Sequence, residues 1–287
     1  MANNPTARIG IIGGSGLYQI EGLRNVAEVK PATPWGEPSD AIVTGELSGV
    51  PVAFLPRHGR GHRFLPSEIP QRANMYALKS IGVRAVVSVS AVGSLRQELA
   101  PRHFVVPDQM VDETKGRPYS FFGEGVVGHV SMAKPFCATV SSSLYEAARK
   151  VGVTAHRGGT LVVMEGPQFS PRAESDYHRK MGYDIIGMTA SPEARLAREA
   201  QMCYAPVCLV TDFDSWKDGE EVTGEQVLEV LNYNISHVRS LIVEVVPQLA
   251  GALNDACHCR KSLAGSVYTA KEMIPSAKQQ MLDMLMK

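Results

Sequence analysis

Short apolar runs alternate with amphipathic segments through most of this chain. The apolar runs have the length of strands, and several are apolar almost throughout, as is typical of strands covered on both faces. They predict β-strands at residues 8–12, 42–46, 52–55, 85–90, 104–106, 160–164, 184–188 and 207–211. Between them, helical patterns predict helices at residues 72–81, 139–151, 171–181 and 192–200. The alternation indicates an α/β protein.

Two more helices are predicted towards the end of the chain. The first follows Thr223, whose hydroxyl can cap it, and is expected to end at Pro247. The second covers residues 274–287 and carries its apolar residues on one face, which predicts a docked terminal helix. Earlier in the chain, Ser191 is expected to cap a helix that has Pro192 at its first position.

The organisation predicted from these elements is one domain with an extension. Residues 1–250 form the α/β domain, and residues 251–287 form a helical C-terminal extension docked on the same domain. With 287 residues, the chain is long enough to bury a sizeable core. There is no internal repeat and no linker-like change in composition to suggest a further boundary.

The composition excludes several functional classes. Lys and Arg number 29, Asp and Glu number 29, and 44% of residues are hydrophobic, so neither a disordered regulator nor a nucleic-acid binder is favoured. Residues 1–5 lack the basic start of a secretory signal, and the apolar stretch 241–253 is too short to cross a bilayer. The expectation is a cytoplasmic protein without a membrane or nucleic-acid partner.

The five cysteines are too few and too scattered for a disulfide scaffold. Cys137, Cys203 and Cys208 lie in apolar surroundings and are expected to be buried thiols. Cys257 and Cys259 are too closely spaced for a complete zinc site, and no second cluster supplies the missing ligands. A redox pair or an incidental polar helix end remain as interpretations of this pair. No metal site and no catalytic cysteine are expected.

Polar residues directly after apolar strands are the candidates for chemistry, since ligands of α/β sheets lie beyond the carboxyl ends of strands. Ser15 lies in a Gly-Gly-Ser-Gly turn that suits either an anion site or a plain tight turn. Arg57 begins a basic stretch at 57–63, which suits phosphate but is also compatible with a solvated loop. Ser90 and Thr189 follow two further strands, and these hydroxyls with the arginine form a plausible cage for inorganic phosphate.

A pair of carboxylates ends the strand predicted at 207–211. Asp212 and Asp214 are two residues apart and point the same way if the strand continues. A shared site would raise at least one pKa, as an acid catalyst requires. Metal binding is a weaker alternative because no further ligand follows at suitable spacing, and an Asp-rich turn is the third interpretation.

Several motifs occur in the same order as in a known family. The segments are 9–17 (Ile-Gly-Ile-Ile-Gly-Gly-Ser-Gly-Leu), 57–59 (Arg-His-Gly), Asn74 with 77–79, 164–170 (Met-Glu-Gly-Pro-Gln-Phe-Ser) with 172–175, 187–189 (Gly-Met-Thr) with 192–193, and 211–214 (Thr-Asp-Phe-Asp). Over residues 9–249 the chain resembles the 5'-methylthioadenosine phosphorylases of the trimeric purine nucleoside phosphorylase family. The resemblance implies a mixed central β-sheet flanked by helices in a nucleoside phosphorylase-like fold, and a homotrimer with sites near the subunit interfaces.

The resemblance also implies a role for each candidate residue. The phosphate ligands would be Ser15, Arg57, His58, Ser90, Ala91 (through its backbone) and Thr189. The nucleoside would contact Met188 at the ribose, Phe169 over the purine, and Asp212 and Asp214 at the base, with His129 reaching the site of a neighbouring subunit. The family suggests Asp212 as the acid for N7 of the purine. Ser170, and Glu225 in the segment expected near the 5' position, are assigned to specificity.

The implied reaction is phosphorolysis of S-methyl-5'-thioadenosine to adenine and 5-methylthioribose 1-phosphate, with phosphate as co-substrate and no metal or organic cofactor. Two carboxylates at the base suit the donors of a 6-aminopurine, whereas an amide would suit a 6-oxopurine. The alternatives are phosphorolysis of 6-oxopurine nucleosides or methylthioinosine, hydrolysis by a nucleosidase of the same fold, and nucleoside binding without catalysis.

Overall fold

The strands of this protein belong to one mixed β-sheet. The computed structural model describes residues 9–14, 17, 20–218, 224–254 and 256–287. The strands in this part are β1 (Ile9–Gly13), β2 (Arg24–Val29), β3 (Ile42–Leu47), β4 (Val50–Pro56), β5 (Ala85–Ser94), β6 (Phe104–Val106), β7 (Gln109–Asp112), β8 (Ala155–Arg157), β9 (Thr160–Val163), β10 (Ile185–Gly187) and β11 (Cys203–Asp212). The helices are α1 (Gln71–Ser80), α2 (Ala138–Lys150), α3 (Arg172–Lys180), α4 (Ala190–Glu199), α5 (Gly224–Ala252) and α6 (Ser276–Met286).

The sheet divides at the central strand β5. The first half of β5 pairs in parallel with β1 on one side and with β11 on the other, so that Ala85 is the partner of both Ile9 and Cys203. β11 stays paired along the second half as well, but there β10 takes the place of β1 and runs antiparallel to β5. One arm of the sheet continues through β9 to β7 and the other through β6 to β8, while β4, β3 and β2 extend the sheet beyond β1. The result confirms the predicted mixed sheet flanked by helices.

The core forms where the helices cover the central strands. Residues of β1, β4, β5 and β11 are buried almost without exception, as strands covered on both faces require. The terminal helix α6 contributes Met281, Leu282 and Leu285 to the same core cluster. These contacts dock α6 on the sheet domain, whereas the predicted boundary at residue 250 stays a prediction. No helix in the described ranges is both long and apolar enough to cross a membrane.

Two local predictions are wrong. Helix α5 does not end at Pro247 but continues to Ala252, because Val246 and Leu249 are fully buried and hold the last turns against the core. Ser191 has the extended backbone of a cap, but its hydroxyl donates to Oδ2 of Asp112 at 2.5 Å instead of capping the helix. Thr223, the predicted cap of α5, lies outside the described residues.

Candidate active site

A cavity of about 560 Å³ opens at the carboxyl edge of β1, β5 and β11. These strands are neighbours and run in parallel, so the residues that follow them meet at one edge of the sheet. Nine of the predicted site residues line this cavity: Arg57, His58, Ser90, Ala91, Phe169, Met188, Thr189, Asp212 and Asp214. Ser15, the remaining predicted phosphate ligand, lies outside the described residues.

Arg57 is buried and tightly held by the protein. Its Nε and one Nη donate to the two carboxylate oxygens of Glu193 at 2.6 and 3.1 Å. The other bonds go to the carbonyl of Val89 at 2.8 Å and the hydroxyl of Ser88 at 2.7 Å. Four of the five guanidinium N–H groups are therefore used, which leaves at most one for a ligand. Burial acts to lower the pKa of Arg57, but the adjacent carboxylate outweighs it and the pKa is raised.

Glu193 is a functional residue that sequence reasoning missed as part of the site. Its Oε2 also accepts hydrogen bonds from Ser88 at 2.9 Å and from the hydroxyl of Tyr204 at 2.9 Å. Burial raises the pKa of Tyr204 well above its ordinary value, so the phenol keeps its proton and remains a donor. The signal in the sequence was a glutamate in the first turn of α4, directly after Pro192.

His58 is a neutral imidazole at the polar wall of the cavity. Burial lowers the pKa of His58 to about 4, and the charge of Arg57 contributes to this shift. Nδ1 lies 2.8 Å from the carbonyl oxygen of Phe64, which can only accept, so Nδ1 carries the hydrogen and Nε2 is left as an acceptor. The ring stacks on His62 with 4.1 Å between centroids. An anion in the cavity would oppose the lowering and favour the doubly protonated ring.

Two hydroxyls complete the polar end of the cavity. The oxygens of Ser90 and Thr189 are 3.1 Å apart, and both side chains are almost buried. Ser90 lies on β5, and Thr189 follows β10 directly before α4, so the division of the sheet brings the two side chains together. Ala91 lines the cavity next to them. Two hydroxyls, a histidine and a buried arginine are an arrangement suited to phosphate.

The carboxylates of Asp212 and Asp214 form the other polar group of the cavity. Burial raises the pKa of Asp212, and the charge of Asp214 adds to the effect. Burial also raises the pKa of Asp214, although the hydroxyls of Ser175 and Ser170 oppose the shift. Oδ2 of Asp214 accepts no hydrogen bond from the described residues. Both carboxyls are therefore inclined to hold a proton more strongly than an exposed aspartate does.

A β-bulge directs Asp212 into the cavity. The register of β11 against β5 shifts between Val210 and Asp212, and such an irregularity turns a side chain away from its regular direction. The Thr211 hydroxyl donates to Oδ2 of Asp212 at 2.7 Å, and the backbone N–H of Asp214 donates to Oδ1 at 2.8 Å. Gly93 permits the close approach, because a Cβ there would lie 2.9 Å from that Oδ1.

Met188 and Phe169 provide apolar surface between the polar groups. Phe169 is 46% exposed in the single chain, whereas Met188 is half-buried. The guanidinium of Arg117 fixes the segment around Met188 by donating to its carbonyl at 2.6 Å and to the carbonyl of Glu165 at 2.6 Å. Ser170 does not line the cavity but lies buried beside Asp214. Arg117 is a second positioning residue that the sequence did not reveal.

An apolar wall faces the polar groups, and sequence reasoning did not locate it. Its members come from the loop after β4 and from helix α5: Phe64, Leu65, Pro66, Leu228, Ile235 and Val238. The loop supplies them directly after the basic stretch at 57–63, which had suggested phosphate binding or a solvated loop. Glu225 is exposed on the first turn of α5 and is not among the lining residues, although the adjacent Gly224 is.

His129 lies on the surface, away from the lining of this cavity. Its ring meets Tyr268 edge to face with 5.3 Å between centroids, and its backbone N–H donates to the carbonyl of Ser266 at 2.9 Å. Val127 and Tyr268 are exposed beside it, at 52% and 69%. The predicted contact of His129 with a neighbouring subunit's site stays a prediction.

Comparison with known proteins gives one consistent family. Residues 8–247 match the model of the "Phosphorylase superfamily". The S-methyl-5'-thioadenosine phosphorylase of Chloroflexus aurantiacus is 52% identical over 96% of this chain and 96% of its own length. The enzyme of the same name from Geobacter sulfurreducens is 47% identical over 96% of this chain and 97% of its own length.

Solved structures agree with the sequence comparisons. A methylthioadenosine phosphorylase from an antarctic soil metagenomic library has a TM-score of 0.95 at 48% identity, covering 99% of this chain and 100% of that one. A methylthioadenosine phosphorylase from Schistosoma mansoni, in complex with adenine, has a TM-score of 0.84 at 38% identity, covering 91% and 99%. The similarity therefore extends over nearly the whole chain.

Proposed function

Since the chain belongs to the phosphorylase superfamily, we propose that it catalyses the phosphorolysis of S-methyl-5'-thioadenosine to adenine and 5-methylthioribose 1-phosphate. The enzyme is then a pentosyltransferase of purine and methionine salvage. The observation that carries the proposal is one cavity that holds a phosphate-suited group at one part of its wall and a buried pair of aspartates at another. Phosphorolysis needs these two groups on opposite sides of the sugar.

The phosphate-suited group activates the co-substrate. Ser90, Thr189 and the backbone of Ala91 donate to the phosphate oxygens, and His58 lies against the anion. Arg57 supplies positive charge near the phosphate, and Glu193 holds its guanidinium in a fixed position. The phosphate dianion stabilises the positive charge that develops on the ribosyl ring, and then attacks C1' from the face opposite the base. Ser15 is assigned to the same group from the family pattern.

The aspartate pair stabilises the leaving group. Breaking the glycosidic bond places negative charge on adenine, and a proton delivered to N7 neutralises it. We assign that proton to Asp212, whose pKa is raised by burial and by the neighbouring carboxylate. Asp214, which also lines the cavity, accepts from the exocyclic amine. The chemistry requires phosphate as a co-substrate and uses no metal or organic cofactor.

The apolar surfaces hold the rest of the nucleoside. Met188 packs against the ribose, and Phe169 covers the purine with a ring that is half exposed until the nucleoside binds. The wall formed by Phe64, Leu65 and Leu228 suits a thioether, which has no strong hydrogen-bonding group to satisfy. We assign Ser170 to substrate specificity because it lies beside Asp214, and Glu225 because it adjoins Gly224, which lines the cavity.

A homotrimer completes the site in this proposal. His129, with the exposed Val127 and Tyr268 beside it, forms a surface that suits a subunit contact, and His129 then reaches the 5' region of the neighbouring site. Light scattering on the purified protein tests the assembly. The cytoplasmic location is proposed as well, and five free cysteines agree with a reducing compartment.

Product analysis with and without phosphate tests the function. Incubation with S-methyl-5'-thioadenosine and phosphate should give adenine and 5-methylthioribose 1-phosphate in equal amounts. Turnover that persists after rigorous removal of phosphate would identify a nucleosidase instead. Faster turnover of inosine or methylthioinosine than of the 6-amino compounds would contradict the role of the carboxylates. Binding of the nucleoside without any product would indicate a binding protein.

A further inference from the structure

Four cysteines from three distant parts of the chain meet at the end of β11 remote from the cavity. They are Cys137, Cys203, Cys257 and Cys259, and all four Sγ atoms lie within 4.8 Å of one another. Three are buried and Cys257 is half-buried. The expectation that no other cysteines complete the Cys257 and Cys259 pair is wrong, because Cys137 and Cys203 join it through tertiary packing.

The spacing of the sulfurs fits a tetrahedral metal site. Sγ of Cys257 lies 3.8 Å from Sγ of Cys137 and 3.6 Å from Sγ of Cys203. In a tetrathiolate site with Zn–S bonds of about 2.3 Å, neighbouring sulfurs are about 3.8 Å apart. A disulfide needs about 2.05 Å between two sulfurs, so the arrangement is not that of bonded pairs.

We propose that this thiol cluster, Cys137, Cys203, Cys257 and Cys259, binds one structural Zn²⁺ ion. Zinc is the divalent ion most suited to four thiolates in tetrahedral geometry, and a site with four protein ligands has no open position for substrate. Binding to four thiols releases their four protons and leaves a complex with a formal charge of 2−, since each thiolate contributes one negative charge.

Groups around the cluster can balance that charge. Cys137 is the residue that directly precedes helix α2, at the end where the first backbone N–H groups of the helix are free of intrahelical partners. N–H groups at a helix N-terminus favour a thiolate. Such N–H groups are of the kind that support metal-binding sulfurs in proteins.

The proposed ion would join three elements that lie far apart in the sequence. Cys137 belongs to the start of α2, Cys203 is the first residue of β11, and Cys257 and Cys259 belong to the C-terminal extension. The extension is also held by apolar contacts such as those of Leu263 in the core, and by hydrogen bonds such as that from Arg260 to the carbonyl of Gln201 at 2.9 Å. A zinc ion at this point would fix the extension to the sheet without touching the cavity.

The first test measures metal in the full-length protein as purified under anaerobic conditions without chelator. We expect about one zinc ion per chain, released only when a mercurial titrates the thiols. Replacement by Co²⁺ should give the thiolate-to-cobalt charge-transfer and the strong visible bands of a tetrahedral site. Less than about 0.1 zinc per chain, with four alkylatable thiols or with disulfide-linked cysteine peptides in mass spectrometry, would overturn the proposal.

Variants assign the metal to these residues. Cys257→Ala should lose most of the zinc, whereas Cys257→His, which supplies another zinc ligand, should retain it. Cys208→Ala is the matched control, because Cys208 is a buried free cysteine on the same strand as Cys203 but outside the cluster. Equal zinc loss in the control, or full retention in Cys257→Ala, would contradict the assignment. If Cys257→Ala does not fold, the metal content and cobalt spectrum of the wild type still decide.

Discussion

The two ends of strand β11 carry two different sites. The strand begins at Cys203, in the thiol cluster, and ends at Asp212, in the cavity, about 30 Å away at the usual rise per residue. At the cavity, charged groups are buried with fixed partners and room for a ligand. At the cluster, four soft ligands lie within 4.8 Å of one another. Groups that act on turnover therefore lie at one end of β11, and groups proposed to stabilise the fold lie at the other.

The largest effect on turnover is expected from Arg57→Met. The change removes the buried positive charge that the proposal places next to the phosphate. We expect kcat/KM for phosphate to fall about 100- to 1000-fold, the scale of a lost electrostatic stabiliser. It also leaves Glu193 buried without its cation, so circular dichroism must confirm the fold at the assay temperature. Arg60→Met, three residues further and exposed, is the control. A fall in kcat/KM smaller than threefold would contradict the assignment of Arg57 to phosphate binding.

Asp212→Asn is expected to lower turnover of S-methyl-5'-thioadenosine at least about tenfold, the scale of a lost proton transfer. The acid must carry its proton, so the wild-type rate should fall as the pH rises through the raised pKa of Asp212, and the variant should lack this alkaline decline. Steady-state kinetics over a range of pH measure both effects. The control is Asp218→Asn, a 92% exposed carboxylate outside the cavity. An unchanged rate or an unchanged pH profile would reject the assignment.

A smaller effect on turnover is expected from Gly93→Ala. The new Cβ would lie 2.9 Å from Oδ1 of Asp212 and 3.1 Å from Ile186, so the carboxylate must move by a few tenths of an ångström. We expect kcat to fall roughly threefold to tenfold, because catalytic geometry tolerates little displacement. Gly251→Ala, with open space around its Cβ, should match the wild type. Kinetics at saturating substrate distinguish the outcomes, and equal rates for both variants would contradict the tight packing.

The smallest effect on turnover is expected from Glu199→Gln, on α4 and outside the lining of the cavity. Burial raises the pKa of Glu199 from 4.5 to about 7, although the N–H of Phe121 and the hydroxyl of Ser120 hydrogen-bond it. The folded protein therefore prefers the protonated acid. Its contribution to stability is complete below pH 4.5 and is lost as the pH rises through about 7.

The amide imitates the protonated acid, so Glu199→Gln should remove this pH dependence. At pH 8 the variant should be more stable by up to about 3 kcal/mol, with kcat within about twofold of the wild type. Urea unfolding at several pH values measures the free energy of unfolding. If the free energy of unfolding of both proteins changes with pH in the same way, Glu199 does not cause the pH dependence. A large loss of turnover would contradict a purely structural role for Glu199.

The sequence located the cavity but not the thiol cluster, and the reason is geometric. Arg57 and Asp212 lie at the carboxyl ends of strands in the parallel part of the sheet, and parallel neighbours bring such residues to one edge. Cys137 and Cys203 carry no such mark, because they meet the last cysteines only through the packing of α2 and the C-terminal extension. Spacing along the chain detects metal ligands only when they are local.

The hydrogen-bonding partners of the predicted site residues could not be predicted from the sequence either. Glu193 and Arg57 are 136 positions apart, and only the tertiary structure pairs them. Strand β2 was missed because its residues are mostly exposed and show no apolar alternation, so its pairing with β3 alone defines it. Pro247 gave a signal for a helix end, but the burial of the residues around it outweighed the local preference.

The division of the sheet at β5 has a consequence for the order of events during synthesis. Residue 85 pairs with residue 9 on one side and with residue 203 on the other, so the central strand has both partners only when most of the chain exists. The carboxylates come later still, at the far end of β11. A ribosome must therefore release about three quarters of the chain before the catalytic groups can meet, and until then the second edge of β5 stays open to wrong partners.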